Sequence, residues 1–320
     1  MKIFNYFILI FTLTYNLFAN DLKPVNILET SGGVTDLVLD KNRLLAATVN
    51  STIDIFDINS KEKIDTIKIP KIKDFLGDLI ESKIYSTDIL ENKILILSQG
   101  ESGGRNLFIY EDKKLINIID DKKRLFIAYA KFLDENHIIY ALLSNQLFIY
   151  DIKNKTTLNE VQVSQSKFSH FKLSLDKTKV IVADESGALS LFDSKSLKLL
   201  QVFKSQNVDN VFQVDLKNTT LISAGQDRRC AIYNIDNKNN SFYKDSNFLV
   251  YSVALSPSSK KGAFSSDEDN NVTVFDVSSK ENLFRLTNIQ NTLTNILFLN
   301  ENELFIASDD NKINYYKLGE

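Results

Sequence analysis

The densest chemistry in this chain is Gln226, Asp227, Arg228 and Arg229, set back to back inside SAGQDRRCAIYN (223–234). Paired guanidinium groups grip carboxylates through parallel hydrogen bonds, so the cluster could be a partner-facing clamp. The solvated tip of a hairpin is the plainer reading, because apolar and polar residues alternate on both sides of it. Ser102 lies in GESGGR (100–105), a glycine-rich setting for a nucleophile, but such a serine needs a histidine base within reach. The chain offers only His137 and His170, so a widened hairpin loop is the expectation. Asp267, Asp269 and Asn271 open with calcium-loop spacing, yet Val272 stands where such a loop requires glycine and Ser278 where it requires a bidentate acid. No phosphate-cradling glycine loop, carboxylate pair or metal cluster stands out elsewhere, and neither a metal nor a cofactor is expected.

Composition narrows the classes available. With 43% hydrophobic and 25% charged residues, the chain has the balance of an ordinary globular protein and can bury a core. A formal net charge of −3 without any Lys/Arg block argues against nucleic-acid binding, which requires clustered cations at the phosphates. Residues 1–19 carry one charge, Lys2, then the apolar IFNYFILIFTLTYNLF, and end at Ala19 before Asn20 and Asp21. That order fits a signal peptide cut near Ala19, and the mature chain is expected in the periplasm without a membrane span. Cys230 is the only cysteine, so no intrachain disulfide can form and the fold must rest on packing.

The elements that would position these residues emerge from a repeat. An aromatic residue followed by a polar one closes an alternating run at Phe56-Asp57, Tyr110-Glu111, Tyr150-Asp151, Phe192-Asp193, Tyr233-Asn234, Phe275-Asp276 and Tyr316-Lys317. Successive aromatics are 54, 40, 42, 41, 42 and 41 residues apart, which makes seven copies with a period of about 41. Within each copy, short alternating runs separated by Asn, Asp, Gly, Ser and Lys read as four strands joined by tight turns. Four-stranded units at this period are the signature of propeller blades. The expectation is an all-β fold: a single domain over 20–320, a seven-bladed β-propeller of four-stranded antiparallel blades. The last copy lacks an outer strand, and VNILET (25–30) is expected to supply it and close the ring.

The copies resemble WD40 repeats, with Phe-Asp or Tyr-Asp where that family has Trp-Asp; SAGQDRRCAIYN, SSDEDNNVTVFD (265–276) and ASDDNKINYYK (307–317) carry the likeness. The chain departs from the family in having no tryptophan and in lacking the Gly-His dipeptide, Ser169-His170 being its nearest echo. More narrowly, the leader, the absence of tryptophan and the element Ala224–Tyr233 resemble the NapL family of periplasmic nitrate reductase accessory proteins. That resemblance implies a non-catalytic factor whose partners are periplasmic proteins, among them nitrate reductase subunits or maturation factors.

Placed in this frame, Gln226–Arg229 becomes the turn between the second and third strands of blade 5, and Cys230 a core residue beside it. Blade 2 exceeds the period through GESGGR and PKIKDFLGDLIESK (70–83). In the latter, Ile72, Phe75, Leu76, Leu79 and Ile80 fall at helical spacing, so a short amphipathic helix or helical turn is expected between blades 1 and 2. It would either cap the propeller's apolar rim or dock another protein. Three functions remain: a protein-interaction propeller acting as a monomer, a propeller lactonase or hydrolase with acids converging on the central channel, and a binder of small ligands in that channel. The inner-strand candidates FQVDLK, YSVALSP, LTNILFL and HFKLSLD hold few acids, which favours the first. The residues expected to contact a partner are Arg228, Arg229, Ile72, Phe75, Leu76 and Leu79.

Overall fold

A computed structural model describes residues 20–237 and 240–319. The expected signal peptide, residues 1–19, lies outside the described residues. The described chain forms seven four-stranded antiparallel blades, ordered around the ring as in the sequence. Blade 5 is representative, with Val211–Lys217, Thr220–Gly225, Arg229–Asn234 and Phe242–Asp245 running from the channel outwards.

The aromatic-polar repeat has a physical reason at each of its two residues. The aromatic sits one residue before the end of each third strand, and Phe56, Tyr150, Phe192, Tyr233, Phe275 and Tyr316 are all buried. The polar residue that follows satisfies the next turn: Asp57 accepts from the N–H groups of Asn59 and Ser60, Asp193 from Lys195 and Ser196, Asn234 from Asp236 and Asn237, and Asp276 from Ser278 and Ser279. Blade 2, which has Glu111 instead, turns through Asp112 and Lys113, both at positive φ.

The ring closes through the N-terminal segment. Asn26–Glu29 pairs antiparallel with Lys312–Lys317 and becomes the outer strand of blade 7, burying Leu28. Just before it, Asn20–Leu22 adds a fifth, parallel strand to the outer edge of blade 6, against Asn282–Leu286. One segment therefore ties two blades together, and two sheet edges are covered that would otherwise offer unpaired backbone groups.

The insert at 70–83 is not a helix. Ile72–Lys73 and Leu79–Ile80 form a two-stranded hairpin, with Ile72 opposite Ile80 and Lys73 opposite Leu79. The Asp74 carboxylate accepts from the N–H groups of Leu76 and Asp78, each at 2.9 Å, and Gly77 supplies a φ of 90°. These turn contacts outweigh the helical spacing of apolar residues, of which Phe75, Leu76 and Leu79 stay exposed.

Candidate functional site

The innermost strand of every blade is an edge strand facing the central channel, so its backbone N–H groups need partners. In blades 2, 3, 5 and 6, side chains on the preceding blade provide some of them. Asp36 in blade 1 accepts from Thr87 N–H in blade 2 at 3.0 Å, and Asp88 in blade 2 accepts from Phe132 N–H in blade 3 at 2.7 Å. The His170 Nδ1 of blade 4 accepts from Val214 N–H at 3.4 Å. In blade 5, Gln213 and Asp215 accept from Val253 and Leu255 of blade 6, each at 3.0 Å.

The charges follow the same plan. Lys131 lies 2.9 Å from Asp36 and also donates to the Thr87 carbonyl at 2.6 Å. Lys172 lies 3.2 Å from Asp215. Burial pushes the Asp215 carboxyl up, but Lys172, Lys217 and the Leu255 N–H outweigh it and hold the group below the ordinary range. Asp88 goes the other way, because burial exceeds the help of Lys131 and Lys177. His170 packs on Tyr129 with ring centroids 4.7 Å apart, and burial with Lys172 and Lys131 beside it lowers its pKa to about 3. The ring is therefore neutral at ordinary pH, as a nitrogen accepting a backbone hydrogen bond must be.

The channel therefore holds three aspartates and a half-buried histidine, more than four inner-strand segments suggested, and blades 1 and 2 supply two of the acids. His170 lies inside the strand Phe168–Leu173. The remaining wall, from blades 6, 7 and 1, is mostly apolar, with Ala254, Leu255, Ile296, Leu297, Val38 and Leu39, and carries Asn295 as a polar side chain besides Asp36.

On the face that carries the second hairpin turns and the blade-to-blade connections, the dibasic turn is a structural joint. Asp227 accepts from the Val208 N–H at 2.7 Å, the Arg229 N–H at 3.1 Å and the Asn207 side chain at 3.2 Å, and Ser223 donates to Asn207 at 2.5 Å. Arg229 is the first strand residue after the turn; it donates to the Gln206 carbonyl at 3.0 Å and lies 4.2 Å from the Tyr243 ring. Only Arg228, at φ 63°, projects into solvent, so the expectation of two solvated arginines holds for one. Cys230 is fully buried and its thiol is pushed up by burial.

The 72–80 hairpin emerges on the same face, on the opposite side of the ring from blade 5. Ile72 packs inward, whereas Phe75 is 89% exposed, Leu76 87% and Leu79 67%. Lys73 N–H donates to Glu101 at 3.3 Å, and Lys71 pairs with Glu81 at 2.5 Å, which hold the hairpin base.

The other candidates are accounted for locally. Ser102 sits in a single 3-10 turn, Glu101–Gly103, on the connection face. His137 begins a second strand at the opposite face and is bound to Asp134 at 2.8 Å, and His170 is enclosed in the channel, so the serine has no base. Asp267 is held by Asn271 and, at 3.1 Å, by Arg285, while Asp269 is exposed. Among the described residues no cluster of His, Cys, Asp and Glu is arranged to hold a metal ion. No protein-family model matches the chain, and no curated protein matches it significantly.

Proposed function

We propose that this protein is a non-catalytic interaction propeller of the periplasm, exported by its leader and acting as a monomer that grips another protein. The observation that carries the reading is the 72–80 hairpin, whose turn is fixed by Asp74 while Phe75 and Leu76 stand almost wholly in water. Adjacent, rigidly held and exposed apolar side chains of this size are characteristic of docking elements. The engagement of Asp36, Asp88 and Asp215 with neighbouring inner strands supports the same reading, because a hydrolase needs carboxylates free to exchange protons with a substrate.

The resemblance of Ala224–Tyr233 to the NapL family makes a periplasmic nitrate reductase system the partner of choice, with the protein serving its assembly, maturation or electron supply. Affinity capture from the native periplasm, with a tag on the mature chain, tests this. Recovery of reductase or electron-transfer subunits by the wild type, and their loss with Phe75→Ser/Leu76→Ser, is the expected result. Equal recovery by both chains removes the hairpin from the interface, and recovery of no such subunit by either removes the nitrate reductase assignment.

A further inference from the structure

The channel has one feature that holding the blades together does not explain. Four lysines, Lys131, Lys172, Lys177 and Lys217, line it against three aspartates, Asp36, Asp88 and Asp215. Lys131 and Lys172 are paired with carboxylates, and Lys177 donates to the Phe132 carbonyl at 2.8 Å. Lys217 differs from all three: among the described residues its ammonium makes neither a hydrogen bond nor an ion pair, and it shares Asp215 electrostatically with Lys172.

Position makes this surplus usable. Lys217 ends the innermost strand of blade 5, Lys172 is one residue from the end of that of blade 4, and Lys177 lies in the turn that follows it. All three therefore sit towards the same mouth, on the face opposite the 72–80 hairpin. Across the channel stand Val38, Leu39 and Leu297, partly exposed and without a polar group among their side chains. The cavity between the walls measures about 290 Å³, near the lower end of small-ligand pockets. One ammonium left without a hydrogen bond or ion pair, facing the apolar side chains of Val38, Leu39 and Leu297, selects for a molecule with an acid at one end and hydrocarbon or an aromatic ring at the other.

We propose that this channel mouth binds small monocarboxylates with an apolar body, Lys217 receiving the carboxylate and the wall of Val38, Leu39 and Leu297 receiving the body. The inference is independent of protein docking on the opposite face, and failure of either leaves the other standing.

The chain has no tryptophan, so an indole probe excited beyond the absorption of tyrosine can be read with little protein background. Indole-3-acetate is titrated against the mature protein beside its neutral analogue indole-3-ethanol, with hexanoate and phenylacetate as competitors. The acid is expected to bind saturably and about tenfold more tightly than the alcohol, the preference one charge-assisted hydrogen bond supplies. Lys217→Met should erase that preference without weakening the alcohol, Lys217→Arg should retain it, and Val38→Phe should weaken both probes by filling the apolar side. Circular dichroism confirms that each variant is folded, and among the described residues the Lys217 ammonium makes no hydrogen bond or ion pair whose loss would unfold the ring. Absence of saturable binding or competition by any of these acids below about 10 mM overturns the proposal. So does equal affinity for acid and alcohol, or an acid preference that survives Lys217→Met.

Discussion

Lowering the pH from 7 to 4.5 probes the inter-blade bonding at His170 directly. In the unfolded chain the imidazole takes up a proton near pH 6.5; in the ring it does so only near pH 3, because it is buried beside Lys172 and Lys131 and Nδ1 is occupied by the Val214 N–H. The folded pKa is depressed, so the unfolded state binds more protons through this window, and stability is lost as pH falls below 6.5 and levels off near 3. At about 1.4 kcal/mol for each pH unit, the loss from this residue is about 2 to 3 kcal/mol at pH 4.5. Carboxylates titrate in the same range, Asp88 with the opposite sign, so the useful quantity is a difference of differences. Urea unfolding of the wild type and His170→Gln at both pH values isolates it, since glutamine can still accept from Val214 but does not titrate. The wild type should lose about 2 to 3 kcal/mol more than the variant. Histidine NMR gives an independent reading, because the chain has only two histidines to distinguish. A His170 resonance that titrates near pH 6, or equal losses for the two proteins within about 0.5 kcal/mol, would refute the reasoning.

Four further outcomes follow from packing and local geometry. Leu28→Ala removes a buried side chain from the strand that closes the ring, and denaturant unfolding should show a loss of about 2 to 4 kcal/mol. Gly262→Ala places a Cβ against the Phe275 ring, 2.6 Å from Cε1, and overpacking should lower stability by about 1 to 3 kcal/mol in the same assay. Cys230 should resist alkylation in the native protein and react once urea opens blade 5; labelling at the native rate would contradict its burial. Arg229→Ala should cost about 1 kcal/mol through the lost stacking on Tyr243, whereas Arg228→Ala should leave the unfolding midpoint unchanged.

The blades were legible because their period is written into one position per copy. An aromatic wedged into the core and a short polar side chain capping the next turn are local requirements, so each copy repeats them. VNILET was legible as the closing strand because the last copy visibly lacked one, but Asn20–Leu22 was not, since a three-residue parallel addition has no pattern of its own. The 70–83 insert misled because apolar residues three and four apart also occur in a hairpin whose turn is organised by Asp74 and Gly77. The channel bonds were hidden for a different reason. Asp36 and Thr87, or Gln213 and Val253, are some forty or more residues apart, and one partner in each pair is a backbone N–H that every residue type but proline provides. Likewise, nothing near Asp227 in the sequence announces Asn207, which reaches it from the connection between blades.

The exposed hairpin is the surface expected to meet a protein partner. Replacing Phe75 with p-benzoylphenylalanine and irradiating intact cells tests it in place, with the same substitution at exposed Leu158, on the outer strand of blade 3, as the control. The account predicts a discrete cross-linked species from position 75 that contains a subunit of a periplasmic nitrate reductase system, and none from position 158. A chain that stays uncrosslinked at position 75, or that yields the same products from both positions, would contradict it.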